Sequence, residues 1–381
     1  MADASKDLGL AWSEQRVLDA IRYRGAISRA ELARETDLAP PTLSRLIQQL
    51  LERGLVVEAD KVRDGQRGKP AQLVRLNARG AYAAGIALQT EYLAGCITDM
   101  EGGVCASATL PLGSLEPALI GPLAARMLED LLVEAGIPRQ QLLGAGVSMP
   151  GMALGVYGSG VRPSGGNDLP DELEDWRQLD LQAFFTDALG LPCWLENSSK
   201  ASTLAEMYYG EGQQLGNFAV LHFAYGFGGG LILGRRPYRG ARGRAGEFGG
   251  LFPYLGIRPS GRDLLLYLGE RLAEPPRHVR DIVIEDIPGH LLDGWAERVY
   301  PCLHDLCKFL AVALDLEAIV FNGLIPDKLM RLLAERVRQR LPGMLPAEFV
   351  MPDVVVSRLS ASSLSIGAAS LPLHYLTAAT P

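Results

Sequence analysis

The chain lacks any long apolar run, and this absence argues against a membrane-spanning helix. No segment of the 381 residues approaches the roughly 18–20 consecutive apolar residues that such a helix needs. The opening stretch, MADASKDLGL, also lacks the basic start and apolar core of a secretory signal. We therefore expect a cytoplasmic protein without membrane contact.

Cysteine is scarce, and its spacing does not suggest a zinc site. The five cysteines are scattered over positions 96, 105, 193, 302 and 307, and no pair has the short spacing of a zinc knuckle. An odd and scattered set is typical of reduced thiols in a reducing compartment. The sequence therefore predicts reduced thiols and no metal site.

The chain as a whole lacks a positive net charge, but its first eighty residues carry one. The formal net charge of −7 argues against nucleic-acid binding by the chain as a whole. Residues 1–80 nevertheless hold 14 basic and 11 acidic side chains, and the segment 61–70, KVRDGQRGKP, holds four basic residues and one acid. A small basic head on an acidic body is typical of a DNA-binding domain joined to a domain with another function.

The first eighty residues have the pattern of a winged helix-turn-helix. A helix over 13–23 ends at Gly25, and Ser28 followed by Glu31 predicts a capping box that begins a short second helix. In the third helix, apolar residues at 43, 46, 47, 50 and 51 follow helical spacing and predict a core-facing stripe. Two strands, LVVEAD and AQLVRLN, joined by the basic loop, would then form the wing.

The opposite face of the third helix carries side chains of the kind that hydrogen-bond to phosphates and base edges. We predict that this helix lies in the major groove of double-stranded operator DNA, with the wing near the backbone or minor groove. The predicted contacts are Pro41, Thr42, Ser44, Arg45, Gln48 and Gln49 on the helix, and Arg67 and Lys69 on the wing. The alternative is a small helical bundle with a solvated polar face, against which the short second helix, the tight turn and the basic hairpin tip weigh.

From residue 81 onwards, strands alternate with helices. A group of strands followed by helices occurs twice, and this repetition indicates two similar α/β lobes with a cleft between them. Ligands of such folds bind where strand ends and glycine turns face the crevice. We expect a head over 1–80, a first lobe over 81–197 completed by a C-terminal helix at 360–381, and a second lobe over 198–359.

The order of motifs resembles that of the ROK family, which comprises repressors, open reading frames and sugar kinases. After the winged helix come VSMPG, ENSSKASTLAE, GFGGGLILG, GRAGEFGG and FNGLIP, so the resemblance covers almost the whole chain. It implies a two-lobe actin-like, hexokinase-like ATPase fold behind the winged helix-turn-helix. It also implies a homodimer or tetramer that forms through the body.

Two groups that a sugar kinase of this family needs are replaced. The glycine-containing phosphate turn of the kinases corresponds to ALQTEYL at 87–93, which has no glycine and carries Glu91. The family's Glu-Asn-Asp motif supplies a carboxylate base, and the matching residue here is Ser198, whose hydroxyl does not accept a proton at neutral pH without a base of its own. The resemblance therefore implies a body with no catalytic residue and no bound cofactor.

Further family motifs are incomplete. GEFGG keeps the sugar-binding Glu247 but has Gly250 in place of a His, and the following segment lacks the Cys and His residues of the family's zinc loop. Asp263 lies near the position of the family's closing Glu. The glycines of YGFGGG, residues 225–230, would suit either an anion cradle or a purely structural hairpin.

Part of the family's sugar pocket is retained. Asn197 and Glu247 match residues that contact sugar hydroxyls in relatives, and Asn167 lies where relatives place an Asn near the sugar, with Trp176 beside it. The resemblance implies that Asn167, Asn197 and Glu247 bind a small-molecule effector, a sugar or sugar derivative. The alternative is that Asn197 only caps the following helix and that Glu247 pairs with a nearby arginine, Arg242 or Arg244.

The sequence thus predicts a DNA-binding transcriptional regulator, a repressor, whose non-catalytic body senses a carbohydrate. Two alternatives stay open. In the first, the chain is an active sugar kinase with an appended DNA-binding head. In the second, it is a regulator whose body binds a protein partner.

Overall fold

The computed structural model describes residues 8–62, 71–150, 175–253, 256–341, 343, 349–359 and 362–379. These residues form two compact units. The first unit draws on the segments 1–149, 178–196 and 368–381, and the second unit draws on 150–177 and 197–367. None of the described helices has the length and apolar character required to cross a bilayer.

The head of the first unit is a winged helix-turn-helix, as predicted. Its elements are α1 Trp12–Arg24, β1 Ile27–Ser28, α2 Arg29–Thr36, α3 Pro40–Glu52, β2 Val56–Val62 and β3 Ala71–Leu76. The strands form one antiparallel sheet in the order β1-β3-β2. The predicted capping box is present at α2, since Ser28 Oγ accepts from Glu31 N at 3.3 Å and Glu31 Oε2 accepts from Ser28 N at 3.0 Å. The hydrogen bonds from Ser28 lower the pKa of Glu31.

A five-stranded sheet forms the rest of the first unit. Its elements are β4 Tyr82–Leu88, β5 Tyr92–Asp99, β6 Val104–Pro111, α4 Pro117–Ala135, β7 Leu142–Met149, α5 Leu181–Leu189 and β8 Cys193–Asn197, and the strand order is β6-β5-β4-β7-β8. The strands β4, β5 and β6 pair antiparallel, and β7 pairs parallel to β4.

The second unit repeats this strand order. Its elements are α6 Ser198–Tyr209, β9 Phe218–Phe223, β10 Phe227–Leu233, β11 Arg236–Pro237, α7 Gly261–Gly269, α8 Gly289–Leu314, β12 Ala318–Gly323, α9 Asp327–Arg340, β13 Asp353–Val356 and α10 Ser363–Thr377. Its five strands lie in the order β11-β10-β9-β12-β13. The strands β11, β10 and β9 pair antiparallel, and β12 pairs parallel to both β9 and β13. All residues of β9 and β12 are buried, as expected for central strands covered on both faces.

Helix α10 begins in the second unit and ends in the first. In the second unit, a Cβ added at Gly367 would lie 2.1 Å from the carbonyl oxygen of Ala201 in α6. In the first unit, a Cβ added at Gly146 of β7 would lie 1.8 Å from the carbonyl oxygen of Ala368. Real side chains do not approach backbone oxygen so closely, so both positions require glycine.

The C-terminal end of α10 contacts helix α1 of the head. Arg22 Nη2 donates to Thr377 Oγ1 at 2.6 Å, and the backbone N–H of Ala379 donates to Asp19 Oδ2 at 2.8 Å. Arg22 also pairs with Asp19 at 2.8 Å, and its side chain is only 9% exposed. Within the first unit, the head is therefore hydrogen-bonded to the last turn of the chain's final helix.

Candidate functional site

Helix α3 has the two faces that its spacing predicts. Leu43, Leu46, Ile47 and Leu50 are buried, whereas Leu51 is only partly buried and so lies at the edge of the predicted stripe. Five of the six predicted DNA contacts on this helix are exposed, namely Pro41, Thr42, Ser44, Arg45 and Gln48. The sixth, Gln49, is half-buried. The structure thus places the six on one helix, while Arg67 and Lys69 lie outside the described residues.

The polar side chains of α3 are engaged with one another at its surface. Arg45 Nη1 donates to Gln49 Oε1 at 3.2 Å, and Gln48 Nε2 donates to Glu52 Oε1 at 2.9 Å. Both hydrogen bonds are exposed to solvent, where exchange for another polar partner changes the net free energy little. These side chains are therefore available to a polar surface that docks on α3.

Asn197 is the N-cap of α6. Its Oδ1 accepts hydrogen bonds from the backbone N–H and from the hydroxyl of Ser199, both at 2.8 Å. Such a cap typically stabilises a helix by about 1 kcal/mol. Asn197 therefore caps α6, and contact with a ligand would be an additional role.

Glu247 joins Asn197 to a cation that the sequence analysis did not single out. Glu247 Oε1 accepts from Asn197 Nδ2 at 3.2 Å and lies 3.1 Å from Lys200 Nζ, which also donates to the carbonyl oxygen of Gly243. The alternative to ligand contact named a different partner for Glu247, either Arg242 or Arg244. Lys200 stands three residues after Asn197, a spacing that brings side chains together on a helix, and this was the available signal. We call Asn197, Lys200 and Glu247 the polar trio.

The polar trio offers an amide, an ammonium and a carboxylate, which can donate to and accept from hydroxyl groups. Ser198 is buried in the same helical turn and has no carboxylate with which to remove a proton. Asn167 lies outside the described residues, and Trp176 is fully buried. The arrangement thus offers donors and acceptors to a ligand that carries hydroxyl groups.

Three of the four glycines in residues 225–230 are explained by packing. A Cβ at Gly228 would lie 2.9 Å from Ser199 Oγ, and one at Gly230 would lie 2.3 Å from Thr203 Oγ1, both in α6. A Cβ at Gly229 would lie 2.1 Å from the carbonyl oxygen of Val220 in β9. Gly228 and Gly230 therefore let the hairpin lie against α6 and Gly229 lies against β9, whereas a Cβ at Gly226 would meet no atom within 4 Å.

Asp263 contributes to helix packing and does not contact the polar trio in any described hydrogen bond. Its Oδ1 accepts from Trp295 Nε1 at 2.8 Å, and its two oxygens each lie 3.3 Å from the guanidinium of Arg298. These contacts hold α7 against α8. Across the described ranges, no group of three His, Cys, Asp or Glu residues is arranged to hold a metal ion.

A buried polar cluster lies around Asn322 and links α6 to the first residue of α10. Asn322 Oδ1 accepts from Ser202 Oγ and from Ser363 Oγ, each at 2.9 Å, and lies 3.2 Å from His222 Nδ1. Asn322 Nδ2 donates to Ser357 Oγ at 3.1 Å and to Glu206 Oε1. We call these six residues the Asn322 cluster.

Burial shifts the pKa values of two members of the Asn322 cluster. Desolvation lowers the pKa of His222 from 6.5 to about 4, so the ring is neutral at neutral pH. Desolvation raises the pKa of the Glu206 carboxyl, against the opposing effect of its hydrogen bonds from Ser357, Glu211 and Asn322.

We expect His222 to make the protein less stable in acid. Because its pKa falls from 6.5 to about 4 on folding, the unfolded chain takes up the proton first, and stability is lost as the pH falls through that range. The raised pKa of Glu206 has the opposite effect, because the folded chain takes up this proton first and the free energy of unfolding rises as the pH falls. His222→Asn should therefore lose less stability than the wild type between these pH values, and Glu206→Gln should lose more. Urea unfolding midpoints over this range provide the measurement, and equal slopes for the wild type and His222→Asn would contradict the expectation.

Comparison with known proteins agrees with this architecture. Residues 84–254 match the ROK family, and residues 8–67 match the MarR family. An uncharacterised protein of Sinorhizobium fredii is 29% identical over 373 residues, which cover 95% of this chain and 91% of that protein. The xylose repressor of Bacillus spizizenii is 26% identical over 237 residues, 62% of this chain and 59% of the repressor, so the match spans less than two thirds of that relative.

A solved structure covers both the head and the body. It is a ROK family transcriptional regulator described as a homologue of the Escherichia coli MLC protein, and it aligns with 98% of this chain and 97% of its own at a TM-score of 0.67 and 20% identity. The predicted fold, a winged helix-turn-helix followed by a two-lobe α/β body, is thereby confirmed. The chain thus contains a ROK family domain over residues 84–254, preceded by a MarR-type winged helix domain over residues 8–67.

Proposed function

We propose that the protein is a transcriptional repressor whose ROK body binds a sugar or sugar derivative and transfers no phosphate. The observation that carries this proposal is the start of α6, where the polar trio is intact while Ser198 stands at the position of the kinase base. Similarity to a protein named as a xylose repressor supports both repression and a sugar effector.

The turn between β4 and β5 also argues against phosphoryl transfer. Gln89 N donates to the carbonyl oxygen of Tyr92 at 2.9 Å, which closes a tight hairpin that contains no glycine. A phosphate group needs close access to backbone N–H groups, and Glu91 in this turn adds a negative charge that would repel it.

The purified protein should show no sugar-dependent ATP turnover. Loss of a general base alone typically lowers a rate by about 10²–10⁴-fold. A coupled ADP-release assay over a panel of hexoses and pentoses provides the measurement, with Glu247→Ala as the control for contaminating kinase. Turnover that depends on sugar and disappears in Glu247→Ala would establish the kinase alternative instead.

Operator DNA is the proposed partner of α3. Arg45→Ala or Gln48→Ala should weaken binding by about 1–3 kcal/mol if the side chain reads a base. Arg126→Ala is the matched control, because Arg126 is a highly exposed arginine on α4 with its side chain 83% exposed. Fluorescence anisotropy with a fragment selected from genomic DNA measures the affinities. Unchanged affinity in the Arg45→Ala, Gln48→Ala double variant would eliminate α3 as the reading helix.

We further propose that the body forms the homodimer or tetramer that a two-half-site operator requires. Helix α8 exposes apolar side chains that a second copy would cover; Phe309 is 59% exposed and Val312, one turn later, is 44% exposed. The buried core of α8 lies on its other side, with Leu303, Leu306 and Leu310.

Phe309→Glu should shift the protein towards a monomer, since a charge in an apolar interface is costly to bury. Val133→Glu is the control, because Val133 is 82% exposed on α4. Sedimentation velocity distinguishes one chain from two or four. A Phe309→Glu protein that keeps the wild-type mass would exclude this face of α8 from the interface.

The proposed route from effector to head runs along α6 and α10. α6 begins at the polar trio, and Ser202 one turn later shares the Asn322 side chain with Ser363 at the start of α10. The last turn of α10 is hydrogen-bonded to Arg22 of the head. A ligand that favours one position of α6 would therefore act on the head through one helix, provided that its affinity differs between the two states.

A further inference from the structure

We propose that strand β6 is a self-association surface, at which the β6 strands of two copies of the chain pair antiparallel and join their five-stranded sheets into one. This surface lies in the first unit and is separate from the exposed face of α8. It adds a second contact to the proposed assembly of the body, and it does not depend on effector or DNA binding.

Strand β6 is an open sheet edge. It is the outermost strand of its sheet and pairs with β5 alone among the described strands. None of its eight residues is charged, and all except Ala106 and Ala108 are exposed. Proteins usually shorten, charge or cover such an edge, because its unpaired backbone groups attract another strand. An uncharged edge of this length therefore suits pairing with a further strand.

The second unit protects its own edges. Strand β11 takes the place of β6 in the strand order, and it consists only of Arg236–Pro237. At the opposite edge, Arg338 Nε donates to the carbonyl oxygen of Val354 in β13 at 2.6 Å and so occupies a backbone group of that strand. Because the two units share a strand order, the fold itself does not require the open edge of β6.

The backbone groups that β6 leaves unpaired follow from its register with β5. Leu112 N donates to the carbonyl oxygen of Glu91 at 3.0 Å, and the register from there is regular until a shift near the start of β6. Alternate residues of an antiparallel strand face opposite neighbours, so Ser107 and Thr109 direct their N–H and C=O groups away from β5. Pro111 is the next residue on that side, and it ends the open stretch because it has no N–H.

The middle of β6 is suited to pairing with a second copy of itself. With Ala108 on the twofold axis, Ser107 of each copy lies opposite Thr109 of the other, and their free N–H and C=O groups bond to one another. Ala108 then faces its own counterpart where side chains come closest, and its methyl group fits there. On the same face, Leu110, which is 40% exposed, would lie opposite the small Ala106. This self-complementarity favours a second copy over an unrelated strand.

Helix α4 offers apolar side chains next to this edge. It lies against β5 and β6, and α5 is on one side of it, where a Cβ at Gly121 would lie 3.1 Å from Phe184 Cζ. Leu119 and Leu123 are two residues from Gly121 in either direction, about 200° around the helix, so they lie on the flank away from α5. Since α5 leads into β8 at the opposite edge of the sheet, this flank is on the side of β6. The two leucines are 50% and 36% exposed, and a second copy would cover them.

Sedimentation velocity of the full-length protein tests this surface together with the α8 face. Two independent self-association surfaces predict four chains in the wild type, two chains when either surface is lost, and one chain when both are lost. Ser107→Pro should remove the β6 surface, because it deletes an N–H that faces away from β5 and leaves the pairing with β5 intact. The combination of Ser107→Pro with Phe309→Glu should then give a single chain.

A second variant leaves the backbone of β6 unchanged. Leu123→Glu should also reduce four chains to two, since pairing would bury its charge next to the second copy. Val133→Glu is the matched control on the same helix, because Val133 is 82% exposed and Val133→Glu should keep the wild-type mass. Circular dichroism of each variant verifies that the fold is retained. If Phe309→Glu keeps the wild-type mass while these variants halve it, the α8 proposal fails and the β6 surface stands.

Disulfide formation tests the register of the pairing. Ala108→Cys, made in a Cys105→Ser protein because Cys105 is exposed, should link two chains under mild oxidation. Its Cα atoms would lie about 4.5 Å apart as a non-hydrogen-bonded pair, within the range of a disulfide. Leu110→Cys in the same background is the control, because its counterpart would lie four residues further along, about 13 Å away.

Three results would overturn the proposal. The first is a wild-type mass for both Ser107→Pro and Leu123→Glu. The second is equal cross-linking of Ala108→Cys and Leu110→Cys, which would exclude this antiparallel pairing. The third is a wild-type protein that is a monomer at micromolar concentrations, which would leave the edge of β6 to a strand from another protein.

Discussion

The close backbone packing of α10 is the constraint on which the connection between body and head depends. Gly146 and Gly367 leave no room for a side chain where α10 meets β7 in the first unit and α6 in the second. Protein interiors packed at this density transmit displacements, because neighbouring groups have no free volume to absorb them. The last turn of α10 is also hydrogen-bonded to α1 of the head, so a displacement of α10 would act on these two hydrogen bonds.

The start of α6 joins three polar side chains to the first turn of a helix. Asn197 both caps the helix and contacts Glu247, and Lys200 pairs with the same carboxylate. A ligand that replaces any of these contacts must therefore compete with bonds on the first turn of α6. That coupling between ligand and helix is useful to a sensor, and it requires no proton transfer.

Much of the fold was predictable because long elements carry strong periodicity. The spacing of apolar residues identified the buried face of α3, and the capping box at Ser28 and Glu31 marked the start of α2. The two-residue strand β1 was missed because so short an element has no period to detect, and its pairing with Val74 and Leu73 is set by tertiary contact. Helices α5 and α7 were also missed, since each spans only nine residues between irregular segments.

The candidate site was predictable only in part. Asn197 and Glu247 were identified through family motifs, but their contact joins residues fifty positions apart, which periodicity cannot reveal. Lys200 was overlooked although it follows Asn197 at helical spacing, because its partners, Gly243 and Glu247, lie on a distant loop. The roles of these residues toward a ligand, and those of the α3 side chains toward DNA, remain predictions that solution experiments decide.

Amide hydrogen exchange on the full-length protein, with and without a saturating effector, tests the central claim most directly. Coupling through α10 requires that ligand binding at the polar trio change exchange in the first turn of α6, along α10 and in α1 around Arg22. We expect changes in all three segments, and a Glu247→Ala protein should show none of them. A change confined to α6, with α10 and α1 unaffected while DNA affinity still responds to the effector, would contradict transmission through this helix.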